Sequence, residues 1–131
     1  DVINLGVTVL ISTPYMEEAE RCDIVSIIYK GKILTTGTPR DLIDTFPHQI
    51  VEIKAKPRKI LRRVINEIDL ITRWRAIGDH IRLSVSDSKN ALIVVERELR
   101  KAGVEIELLH DARPKMEDVF IHLVESRENS V

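Results

Sequence analysis

Three stretches of the 131-residue chain alternate between apolar and polar side chains, and an alternation of period two makes a strand with one buried face. Val51, Ile53 and Ala55 alternate with Glu52 and Lys54. Ile81, Leu83 and Val85 alternate with His80, Arg82 and Ser84, and Val104, Ile106 and Leu108 with Glu105 and Glu107. Between the first two lies a helix opened by Pro57, with Ile60, Leu61, Val64 and Ile68 on its apolar face, then a strand over residues 70–77 that turns at Gly78-Asp79. Between the last two, Asp87 or Ser88 caps a helix striped by Leu92, Val95, Leu99 and Ala102. Glu96 and Arg100 can pair one turn apart on that helix, and Gly103 ends it.

The order β-α-β-β-α-β is the split βαβ or ferredoxin-like arrangement, one sheet covered on one side by two helices, which places the chain in the α+β class. A further helix opens at Pro114 and is striped by Met116, Val119, Phe120 and Leu123. Residues 48–125 are expected to form this domain with its extra helix, and residues 126–131 a polar tail.

Residues 1–47 read differently. Val7, Val9, Leu10 and Ile11 suggest a buried strand, and Thr13-Pro14 a helix start, because threonine caps orphan amides and proline suits the first helical position. Glu17, Glu18 and Glu20 follow, where the helix dipole favours negative charge. Residues 24–29 and 33–36 make a hairpin across Lys30-Gly31-Lys32, and Thr38-Pro39 starts a short helix closed by Phe46-Pro47. A boundary belongs there, since net charge changes from −3 over residues 1–47 to +2 over residues 48–131.

Composition bounds the function. A net charge of −1 and 31% charged residues describe no basic nucleic-acid-binding surface. The single cysteine, Cys22, cannot form an intrachain disulfide, and no apolar run approaches the ~20 residues of a membrane span, so the cytoplasm is the expected compartment. The chain enters almost directly into a strand, as a piece of something longer would.

Candidate chemistry is sparse. Gly31-Lys32 lacks the upstream glycine and following Ser or Thr of a phosphate loop, with Ser26 and Ile33 in those places, and reads as a turn. His48, His80, His110 and His122 show no metal-ligand spacing, and no metal site is assigned. The acidic run Glu17, Glu18, Glu20 and Asp23 is explained by its helix start. Trp74 between Arg73 and Arg75 hints at base stacking, but an RNA-binding sheet presents several aromatics, and cross-strand ion pairs explain the face of Glu52, Lys54, Arg82, Glu105 and Glu107 better.

The string LISTPYMEEAERCD followed by IVSIIYKGKILTTGTPRDL resembles the nucleotide-binding subunits of ABC transporters, in the group serving drug-export and related permeases. Ser12, Thr13, Tyr15, Met16, Glu18, Ala19, Glu20, Cys22 and Asp23 match the family pattern, as do Gly31, Gly37, Pro39 and Leu42. Beyond them the chain resembles the accessory domain of this group, whose P-x-x-E-D-V-F signature appears as Pro114, Glu117, Asp118, Val119 and Phe120. The resemblance implies a parent that binds ATP and Mg²⁺ and hydrolyses ATP through upstream loops not found in this sequence. The present chain is then expected to carry no catalytic residue and to bind no cofactor alone. Its implied partners are the missing ATPase core, a membrane permease and a second nucleotide-binding subunit or half, at the inner face of the membrane. Ser12, Thr13 and Pro14 fall in the family's switch loop, with Pro14 where the family usually has a histidine that contacts the γ-phosphate. A free-standing ferredoxin-like sensor or dimerisation module is the alternative reading.

Overall fold

The computed structural model describes residues 5–129. In chain order these form α1 (Met16–Ala19), β1 (Val25–Tyr29), β2 (Lys32–Gly37), α2 (Pro39–Asp44), β3 (Gln49–Lys56), α3 (Arg58–Glu67), β4 (Ile71–Ile77), β5 (His80–Val85), α4 (Ser88–Lys101), β6 (Glu105–Ala112) and α5 (Met116–Asn129). The chain divides into two compact units, one of residues 46–114 and the other of the residues up to 45 together with those from 115 onward.

The 46–114 unit is an antiparallel sheet of order β4-β5-β3-β6, the strand order of the ferredoxin-like arrangement. Gly78 begins the two-residue β4–β5 turn at φ +60°, a backbone region closed to most side chains. Asp87 caps α4 by accepting from the amides of Lys89 and Asn90. Val51, Ile53, Ala55, Ile81, Leu83 and Val85 face Leu61, Val64 and Ile65 of α3 and Ala91, Val95 and Leu99 of α4 in one buried core. The β6 alternation is broken by a bulge: Lys54 pairs with Leu108 and Ala55 with Ile106, so Glu107 is the extra residue. Leu109 therefore packs against the core, where Leu108 was expected.

In the first unit β1 and β2 form a two-stranded hairpin joined by Lys30-Gly31, both at positive φ, the geometry of a tight primed turn. Thr38 caps α2, accepting from the Asp41 amide at 3.1 Å. Several expectations are corrected. Residues 7–11 are not a strand: Leu10 is 98% exposed and Val7, Val9 and Ile11 are exposed too, because no neighbouring strand among the described residues supplies a hydrogen-bonding edge. The helix expected from Thr13-Pro14 is the single turn α1, which leaves Pro14 outside it. The last helix, expected within residues 48–125, packs on α1 and α2, and it continues through Ser126–Asn129, where a tail was expected. Ser130 and Val131 lie outside the described residues. Among the described residues, Ala19, Ile27, Leu42, Met116 and Val119 are the buried apolar ones of this unit.

On the sheet face turned away from α3 and α4, Arg82 is buried and donates to Glu52 Oε2 at 2.8 Å and to the Arg113 carbonyl at 3.0 Å. Removing the arginine leaves the part-buried Glu52 carboxylate and the Arg113 carbonyl without this donor, so Arg82→Ala should cost about 1–3 kcal/mol. Urea denaturation followed by the fluorescence of Trp74, the only tryptophan and a member of this unit, measures this.

Candidate functional site

The segment of residues 12–15 is built by short-range hydrogen bonds. Thr13 Oγ1 accepts from the Tyr15 amide at 3.0 Å and donates to Glu18 Oε2. The threonine thus ties the segment to α1 without serving as the helix cap; Tyr15 occupies that position and makes no side-chain cap. Ser12 and Pro14 are exposed. Cys22 Sγ lies 3.6 Å from the Glu18 carbonyl, closing the turn after α1.

This arrangement does not suit a nucleotide phosphate by itself. Pro14 has neither an amide proton nor a side-chain donor, the Thr13 hydroxyl is committed to a carboxylate, and Glu18 sets negative charge beside the segment. Gly31-Lys32 lies in a strand-turn-strand, whereas a phosphate loop must lead into a helix whose amides face the anion. Among the described residues no group of three or more His, Cys, Asp or Glu side chains could hold a metal ion, and no helix is long and apolar enough to cross a membrane.

Two acidic residues whose contacts were not read from the sequence meet at the start of α5. Asp118 Oδ2 accepts from the Lys115 amide at 2.7 Å, reaching back from the first turn as the acidic member of a capping box does. Glu20 Oε1 accepts from the Met116 amide at 2.8 Å. The Asp118 cap was legible as an acid three residues into a helix, but the Glu20 contact spans 96 positions and had no local signal. At the other end of α5, Tyr29 Oη and Lys30 Nζ both donate to Glu128 Oε1, at 2.8 and 2.9 Å.

Charged side chains on the outer face of the β4-β5-β3-β6 sheet pair across strands. Lys54 lies 3.0 Å from Asp79 and 3.4 Å from Glu107, and Lys56 lies 3.4 Å from Glu107. Trp74 is turned to the other face, packed against the core with its Nε1 donating to Asn66 at 2.6 Å, so its ring offers no base-stacking platform. Hydrogen bonding to Asp79, and then to Glu107, raises Lys54 above its ordinary pKa, and Lys54 in turn holds both carboxylates below theirs. Carboxylates depressed by folding contribute stability that is complete above their ordinary values, about 4, and is lost as pH falls through the lower folded values. The raised lysine contributes below about 10.4 and loses its share as pH rises beyond that. All three are solvent-exposed, so the contribution is small and screened by salt. Lys54→Met should therefore lower the plateau near neutral pH slightly, leave stability unchanged where both carboxylates are protonated, and so flatten the acid limb between them by the same small amount; urea midpoints across pH read this directly.

No protein-family model matches the chain. Among curated proteins, the daunorubicin resistance ATP-binding protein DrrA3 of Streptomyces coeruleorubidus is 31% identical over 121 residues, covering 90% of this chain and 38% of that protein. Nod factor export ATP-binding protein I of Rhizobium etli is 29% identical over 124 residues, 93% of this chain and 37% of that protein. A probable multidrug ABC transporter ATP-binding protein of Escherichia coli, YbhF, is 46% identical over 41 residues, 31% of this chain and 7% of that protein. The chain thus spans less than two-fifths of the length of the first two. Over about nine-tenths of its own length it is a homologue of the ABC transporter ATP-binding proteins of the drug-export type.

Proposed function

We propose that the chain is the C-terminal part of a longer ABC transporter ATP-binding protein, which couples ATP binding and hydrolysis to transport through a membrane permease. Residues 12–14 are its switch segment, and the 46–114 unit is an accessory domain that regulates or supports a dimer of two nucleotide-binding subunits or halves. The observation that carries this reading is a likeness that runs through both units in relatives more than twice as long. The surface of the first unit supports it. Ile28 pairs with Ile33 across the hairpin and both are exposed, as are Ile24, Val7, Val9, Leu10 and Ile11, so this unit presents apolar surface that suits burial against the remainder of an ATPase core. ATP and Mg²⁺ belong to that remainder. The complex works at the cytoplasmic face of the membrane, and the permease sets the substrate, with export of drugs or other amphipaths suggested by what the relatives are named for.

Two outcomes are expected. Titration calorimetry of this chain with Mg-ATP should show no micromolar binding, since Ser12 is the one hydroxyl the switch segment leaves for a phosphate; micromolar affinity would sink the division of labour proposed here. In the longer protein, Pro14→His should raise ATP turnover by on the order of 10²–10³, the scale of one donor aimed at charge developing in a transition state, with nucleotide affinity nearly unchanged. No gain in a folded variant, or brisk turnover in a homodimer whose switch positions are both Pro14, returns Pro14 to a purely conformational role.

A further inference from the structure

α1 is four residues long, and a single helical turn does not hold itself together, because fixing its backbone costs more than its few hydrogen bonds return. Its order must come from outside. Two attachments are seen: the burial of Ala19 and the hydrogen bond from the Met116 amide to Glu20 Oε1. Two residues earlier, inside the helix that Glu20 closes as C-cap, Glu18 accepts from the hydroxyl of Thr13, which in turn accepts from the Tyr15 amide. Two carboxylates of one short element therefore face opposite duties, one fastened to the switch segment and the other to the first amide of α5. We propose that α1 is a bracket through which α5 sets the order of residues 12–15, with Glu20 as the positioning residue.

The consequence is directional. Anything that draws the start of α5 away from Glu20 frees α1, and with it the threonine that shapes the segment. Glu128, at the far end of α5, is held by the exposed side chains of Tyr29 and Lys30 and has no such link to Thr13. The bracket itself rests only on the geometry; its bearing on ATP turnover rests on the reading of residues 12–14 given above.

Backbone ¹⁵N relaxation and amide exchange on this chain test the bracket. In Glu20→Ala the Met116 amide should exchange about fivefold faster, the scale of one lost helix cap. The order parameters of the Thr13 and Tyr15 amides should fall from the rigid value of about 0.85 toward 0.6. Glu20→Gln, which keeps an acceptor oxygen, should restore both. Lys30→Met should fray the end of α5 near Glu128 and leave Thr13 and Tyr15 rigid. Faster exchange at Met116 with Thr13 and Tyr15 still rigid overturns the proposal, and so does equal loosening by Lys30→Met. Should alanine at position 20 unfold the unit, Glu18→Ala cuts the same chain on the loop side: it should loosen Thr13 and Tyr15 while Met116 keeps its protection, and rigidity there is again decisive against the bracket. In the longer protein, ATP turnover lowered by Glu20→Ala and recovered by Glu20→Gln, at unchanged ATP affinity, ties the bracket to the switch. Failure of the longer protein to bind ATP at all defeats the functional reading instead, and leaves the relaxation result standing.

Discussion

A hairpin of two strands and helices of four and six residues cannot enclose a core, and the first unit depends on that shortage being met by a helix from the end of the chain. α5 brings Met116 and Val119, both almost fully buried, to a unit whose own buried apolar side chains are Ala19, Ile27 and Leu42. Its N-terminal amides would be costly to bury unpaired. Asp118 satisfies that of Lys115 from within the helix, and Glu20 satisfies that of Met116 from α1. Hydrophobic burial thus brings the helix in, and the Glu20 carboxylate specifies where its first turn sits.

The 46–114 unit solves its own problem. β3 is hydrogen-bonded to β5 on one side and to β6 on the other, so the strand that begins the unit ends in its middle. One face of that sheet is covered by α3 and α4. The other carries ions whose energies differ with exposure: the Lys54 pairs are wet and weak, whereas the Arg82 guanidinium is withdrawn from water and needs the Glu52 carboxylate and the Arg113 carbonyl.

Around residues 12–15 the chemistry is that of a shaped loop. A proline without donors, a threonine engaged by a carboxylate and a neighbouring negative charge make a poor anion site and a well-defined turn. For a homologue of ABC transporter ATP-binding proteins this shifts attention from what the segment could contact to what holds it in place. On this structure the answer runs through Glu18 and Glu20.

Much of the fold was legible because its causes are local. The Thr38 and Asp87 caps and the Lys30-Gly31 and Gly78-Asp79 turns follow from a few adjacent residues and appear in the structure as read, and the stripes of α3 and α4 do so in part, with Ile65 and Ala91 buried where Ile60 and Leu92 were expected. The strand order β4-β5-β3-β6 likewise agrees with the order of elements, since few topologies suit it. What depended on distant partners was not legible. Residues 7–11 have the composition of a strand, but a strand exists only where another edge accepts its hydrogen bonds. Leu108 fits the alternation, and a bulge opposite Lys54 gave its place in the core to Leu109. The stripe of α5 announced that the helix must be buried without saying against what; α1 and α2, far back along the chain, supplied the surface, and Glu20 the acceptor. Periodicity and caps are written in neighbouring residues, whereas a hydrogen bond spanning 96 positions exists only once the chain has folded.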